Sequence, residues 1–316
     1  MSNPQNNDVV YSQGHAHDPA TVVAARAGEV TRGGAPHSRK RSWASLIAAY
    51  PATSVLMGIN LLVFALMFPH GPVIPLLRAH QFGHIFTAEF DLTTLDRFGA
   101  CDSMLVLQDG QWWRLVTACF AHAGILHIAV NLWCLWNLGL FGEPLLGRWG
   151  LAWVYVLTGV TGNLLGVAWS GFTHTEMVVV GASGAIFGIA GILIILLSNR
   201  KLALPWQELK SLRGQVILFA VVNLALGVVP DFAGSLSSAD WARLHVDPNA
   251  IPHIANSAHL GGFLSGLALG LPLFPRMTAG RERYRARQRV TFTVAALLLC
   301  LVGYWLATAT GRGPLS

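Results

Sequence analysis

Charge is what this sequence has little of. Asp, Glu, Lys and Arg make up 11% of its 316 residues, against roughly 25% in an ordinary soluble domain. That scarcity excludes a soluble globular protein, since 53% of the residues are hydrophobic and the mean hydropathy is +0.51. Cysteine is scarce too. Cys101, Cys119, Cys134 and Cys300 show no CxxC spacing, so neither a zinc site nor a disulfide framework is indicated. Acidic residues are absent from the apolar stretches and no repeat of halves is evident, which argues against a small-molecule transporter. No apolar segment of suitable length opens the chain, so no cleavable signal peptide is expected.

The apolar residues are concentrated in stretches at about 44–68, 115–141, 150–172, 177–198, 215–230, 254–275 and 290–309. Most approach the roughly 20 residues that cross a bilayer as helix. Seven spans follow, with Pro51 limiting the start of the first. Charge placement orients them. With the amino terminus cytoplasmic, 16 of the 21 Lys and Arg lie inside and 5 outside, the bias expected of cytoplasmic loops. The net charge of +6 therefore reads as membrane orientation. The longest basic run, RMTAGRERYRARQR, is a topology anchor near anionic lipid, and no nucleic-acid partner is expected.

Polar residues within the spans are where function is sought, because lipid makes them costly. His127 and Asn131 are four apart on one helix face. His122, five before His127, stands roughly 140° round a helix and need not share that face. The fourth span carries Ser183 and the sixth His259. Each alone is more often a structural hydrogen-bonding group. His80 and His84 have helical ligand spacing but no evident third ligand, so no metal is expected.

Topology makes these signals joint. Spans two, four and six run in the same direction, and their polar residues fall at depths that differ by no more than roughly 15 Å. Glycines at 184 and 188, at 262, 266 and 270, and at 162 and 166 let the helices approach closely. Ser183 and His259 can then form a dyad in which the imidazole takes the hydroxyl proton. The Ser183 N–H, the His127 side chain and the Asn131 amide are candidate donors to the oxyanion. With no acid near this level, a third triad member is not expected.

The set GASG (181–184), HAGILHIAVN (122–131), AHLGGFLSG (258–266), Trp113–Arg114 and GEPLLG (142–147) resembles the rhomboid intramembrane serine proteases over about residues 50–275. The resemblance implies an all-α membrane bundle, a rhomboid six-helix core plus one C-terminal transmembrane helix. Ser183 becomes the nucleophile and His259 the base. His127 and Asn131 line the oxyanion site and His122 is accessory. Gly181 and Gly184 flank the nucleophile, and Phe187 is placed to stack on the base. The resemblance also implies transmembrane protein substrates, a first outer loop (69–112) partly in the membrane, and a fifth span acting as a lateral gate before a flexible loop at 231–253. No cofactor is implied. A catalytically silent relative acting as a chaperone or sorting factor would ordinarily lack the serine or the histidine. The expected organisation is a disordered cytoplasmic tail (1–42), the core (43–275), a basic cytoplasmic loop (276–289), a seventh helix (290–309) and a short outer tail (310–316). The expected location is a bacterial inner membrane, with the site opening to the periplasmic side.

Overall fold

The computed structural model describes residues 43–202, 205–234, 256–276 and 279–309. The two expected tails and most of the expected loop at 231–253 lie outside them. The described chain is an all-α bundle with one two-stranded ribbon. Helix α1 spans Trp43–Ala49 and α2 Pro51–Met67, divided at Tyr50 as the proline requires. The orphan amides of α2 are met by a carboxylate from elsewhere. Ala52 and Thr53 donate their N–H groups to the buried Glu143 at 2.8 and 2.9 Å, and the Thr53 hydroxyl adds a bond of 2.7 Å. An anion there satisfies the donors and complements the helix dipole.

After α2 the chain forms a loop of short helices, α3 (Val73–Arg78), α4 (Leu92–Arg97), α5 (Ser103–Leu107) and α6 (Arg114–Thr117). Leu77, Phe82, Phe86 and Leu92 are exposed along it. Arg114 ties the loop together. Its buried guanidinium donates to the carbonyls of Asp96 and Ala100 at 2.7 and 2.9 Å and to Gln111 Oε1 at 2.7 Å. A buried charge is tolerable when hydrogen-bonded in this way.

The second and third expected spans are two arms of one element, α7 (Ile125–Thr173), which turns at Gly147 (φ 74°, ψ 163°). The second arm runs back beside the loop, with Tyr155 bonded to the Cys119 carbonyl at 2.8 Å and Asn163 to that of Leu115 at 2.9 Å. The expected span start at 115 is corrected. The helix begins only at Ile125, because Gly124 is fully extended, Glu89 forms a bridge with it, and Phe90 N–H bonds the Ala123 carbonyl. His122 therefore lies off the helix, the 140° argument does not apply, and His127 sits in the first helical turn instead of a dozen residues along.

The fourth span is corrected in the same sense. Residues 178–179 form strand β2, antiparallel to β1 (Cys101–Asp102), and α8 occupies only Ser183–Leu196. Three consecutive valines favour the extended chain. Ser183 is thus the first residue of a helix of about 21 Å, shorter than the ~30 Å hydrocarbon layer. The remaining helices are α9 (Trp206–Gly234), α10 (Asn256–Leu273) and α11 (Arg281–Ala309). The fifth helix thus begins nine residues before its expected start at 215. The basic segment expected as a loop is helical from Arg281. Its Arg, Glu, Ala and Gln are good helix formers, and Tyr284 and Gln288 are buried against the bundle, Gln288 donating to the Leu146 carbonyl at 2.8 Å.

Helix α8 is the centre. Ile186, Ile189, Ile192, Leu193 and Leu196 are nearly inaccessible, as expected of a helix apolar on every side. It meets α10 at a glycine seam, where a β-carbon on Gly262 or Gly266 would overlap the carbonyl oxygen of Gly184 or Gly188. Gly266→Ala should destabilise the fold by about 1–3 kcal/mol, read as a lowered thermal midpoint in detergent. Gly58→Ala, inside α2, meets nothing within 4 Å and should hold or raise the midpoint.

One end of the bundle collects residues 52–53, 143–146, 199, 274 and 288 through the bonds of Glu143 and Gln288 and that of Asn199 Nδ2 to the Phe274 carbonyl. Ser183 and His259 begin their helices at the opposite end, beside the loop of short helices.

Candidate active site

The glycine seam brings the first turns of α8 and α10 together. Gly184 contributes by leaving the Ala258 carbonyl oxygen 3.4 Å from where its own β-carbon would stand. His259 Nε2 lies 2.7 Å from Ser183 Oγ, within the range in which an imidazole can accept a hydroxyl proton. Phe187, one turn after the serine, stacks on the His259 ring at 4.6 Å with 29° between the planes. Among the described residues His259 Nδ1 has no hydrogen-bond partner, so no carboxylate orients the ring there.

The first arm of α7 forms the opposite wall. Gly181 makes the approach possible. Its φ of 115° is open to glycine and strained for other residues, and a β-carbon would stand 2.8 Å from His127 Nε2 and 3.4 Å from Asn131 Nδ2. The Gly181 N–H is bonded to the Ala118 carbonyl at 2.9 Å, which pins the turn ahead of the serine. Both side chains of α7 therefore face the backbone just before Ser183. The Asn131 amide nitrogen is buried and without a partner among the described residues. The Ala123 N–H approaches His127 Nδ1 at 3.4 Å, a long bond that assigns the ring proton to Nε2. The ladder of α8 opens with Ile186 N–H to the Ala182 carbonyl, leaving the Ser183 amide ahead of it.

Three donors thus stand around the turn from Gly181 to Ser183: the Ser183 amide, His127 Nε2–H and the Asn131 amide. An arrangement of this kind can stabilise charge developing on an oxygen bonded to a carbon that Ser183 attacks. His122 is fully buried, donates from Nδ1 to the Phe120 carbonyl at 3.2 Å, and packs edge-on against His127 at 5.2 Å. It supports His127 from behind. His80 and His84 belong to the loop of short helices, and among the described residues no group of three His, Cys, Asp or Glu is arranged for a metal. Sequence reasoning passed over the Ala118 carbonyl and Phe219, which lies 6.0 Å from Phe187. Neither carries a sequence signal, because each acts through a partner distant along the chain.

A profile of the Rhomboid domain family matches residues 109–276. The chain is similar to the Rhomboid protease GluP of Bacillus subtilis, 34% identical over 184 residues, which are 57% of this chain and 30% of that protein. It is 30% identical to the mitochondrial RHOMBOID-like protein 6 of Arabidopsis thaliana over 225 residues, 66% of this chain and 63% of that one. The Rhomboid-type serine protease 2 of Emericella nidulans is 31% identical over 175 residues, 55% of this chain and 29% of that protein. The chain thus spans between about a third and two thirds of the length of these relatives.

Proposed function

This integral membrane chain belongs to the rhomboid family, and from that membership we propose that it is a serine endopeptidase cleaving membrane proteins within or beside a transmembrane segment. The observation that carries the reading is the 2.7 Å approach of His259 Nε2 to Ser183 Oγ, with the unpaired Asn131 amide nitrogen close to the turn that leads into Ser183. In this mechanism Ser183 Oγ attacks the scissile carbonyl carbon while His259 Nε2 takes its proton. The carbonyl π pair moves to oxygen, where the Ser183 N–H, His127 and Asn131 receive the charge. Collapse breaks the C–N bond, and His259 returns the proton to the leaving nitrogen. Water then attacks the acyl-enzyme carbonyl, gives its proton to His259, and releases the carboxyl product as Ser183 is regenerated. Every proton is carried by His259, so the cycle requires no cofactor.

Relatives named as a rhomboid protease and as a rhomboid-type serine protease support the reading, and a silent chaperone or sorting factor has no use for a paired serine and histidine. A fluorophosphonate probe tests it. Labelling of the wild type that disappears in Ser183→Ala is expected; equal labelling of both would remove the nucleophile assignment.

We place the site on the periplasmic side of a bacterial inner membrane, with residues 1–42 and the basic end of α11 in the cytoplasm. The charge bias of 16 to 5 carries this orientation. A reporter active only in the cytoplasm should respond when fused after residue 285, and a periplasmic reporter after residue 240. The reverse pattern would turn the site to the cytoplasm.

A further inference from the structure

An imidazole that serves as a base must hold its ring plane as well as its position, and a hydrogen bond from one ring nitrogen leaves rotation about that bond open. In a serine–histidine–aspartate arrangement the second nitrogen is fixed by a carboxylate. Here His259 Nδ1 has no partner among the described residues, and the plane is held instead by the stack on Phe187. Phe187 is itself nearly buried, at 3% exposure, and its ring meets that of Phe219 at 6.0 Å with 37° between the planes. Phe219 belongs to α9. That helix offers the bundle a single face at this level: Val216 and Ala220 are buried, whereas Ile217, Leu218, Val221 and Val222 are exposed.

From this chain of contacts we infer that Phe219 is a positioning residue for His259, acting through Phe187, so that the seating of α9 against α8 sets the alignment of the base. The inference rests on the reading of His259 as that base. Removing the Phe219 ring opens space beside Phe187, whose ring can then rotate and release the imidazole from its stacked plane. The serine and its donors stand on α8 and α7 and are not displaced. The effect therefore falls on the proton-transfer step and leaves substrate affinity in place.

The test compares Phe219→Ala, Phe219→Leu and Phe219→Tyr with wild type and with Leu218→Ala, an exposed neighbour on the same helix. Two readouts are used: the rate at which a small fluorophosphonate labels Ser183, and the ring resonance of His259 in histidine-selective carbon-13 spectra, assigned with His259→Gln. Phe219→Ala should slow labelling by about fivefold, the scale of an aromatic pair, and move the His259 resonance. Phe219→Leu, which keeps most of the apolar volume, should move both in the same direction, and Phe219→Tyr should restore both. Leu218→Ala should change neither. In cleavage assays the loss should appear in kcat with KM unchanged. Unchanged labelling and resonance in Phe219→Ala would overturn the inference. So would a loss confined to substrate cleavage, which would make Phe219 a substrate-access residue. If the wild type is not labelled but the resonance responds to Phe219→Ala, the protease reading fails and the positioning contact stands.

Discussion

Ser183→Ala and His259→Ala are each expected to abolish cleavage of a co-reconstituted single-span substrate, with a fall on the order of 10⁴-fold or more, and the double variant should be no worse than either single one. The serine hydroxyl is a weak nucleophile without a base at hydrogen-bond distance, and the imidazole has no reaction to assist without the hydroxyl. The two act as one unit because 2.7 Å separates them. Both changes shorten side chains at the first turns of α8 and α10, outside the glycine seam that joins these helices. The thermal midpoint should therefore stay close to that of the wild type. A double variant many-fold less active than both single ones would show that the residues contribute independently. Loss of folded protein in place of lost activity would reassign them to structure.

Asn131→Ala should lower turnover by about 10²–10³-fold with little change in apparent affinity, the scale on which one donor to a developing oxyanion acts. Its thermal midpoint should hold or rise. The Asn131 amide nitrogen is buried without a partner in the described structure, and a buried donor left unpaired costs about 1–3 kcal/mol, a cost that alanine removes. His127→Ala should lose turnover on a similar scale but should also lose some stability, since His127 accepts the Ala123 N–H and packs against His122. The double variant should show less than the product of the two turnover losses, because both side chains act on one charge. Steady-state kinetics and thermal midpoints of the three proteins decide the matter. Lowered midpoints with near-normal turnover would remove the oxyanion assignment and leave the Ser183–His259 pair standing.

The stability of the site and its chemistry are separable in these variants because different residues supply them. Gly262 and Gly266 set how near α10 comes to α8, and Gly181 sets how near His127 and Asn131 come to the chain ahead of Ser183. None of the three glycines carries a reacting group. Each determines a distance between groups that do.

The sequence by itself determined the membrane class, the helical architecture, the family and the short set of polar residues worth examining. Those follow from local quantities: runs without charge, the placement of Lys and Arg, and side chains whose transfer to lipid is costly wherever they lie. It did not determine where helices begin. Residues 118–124 and 177–182 are apolar enough to read as helix, yet they are held extended or irregular by bonds to distant parts of the chain, from Phe90 to Ala123, from Ala118 to Gly181 and from Cys101 to Val179. Backbone groups choose between a helical partner four residues away and a partner in another segment, and only the tertiary structure shows which was available. The same holds for α11, which begins at Arg281 because Tyr284 and Gln288 find their places against the bundle. Because α7, α8 and α10 start so near His127, Ser183 and His259, the site is built on helix first turns joined to a folded loop. The Phe219–Phe187–His259 contacts were decided there as well, by three side chains that meet only after their helices pack.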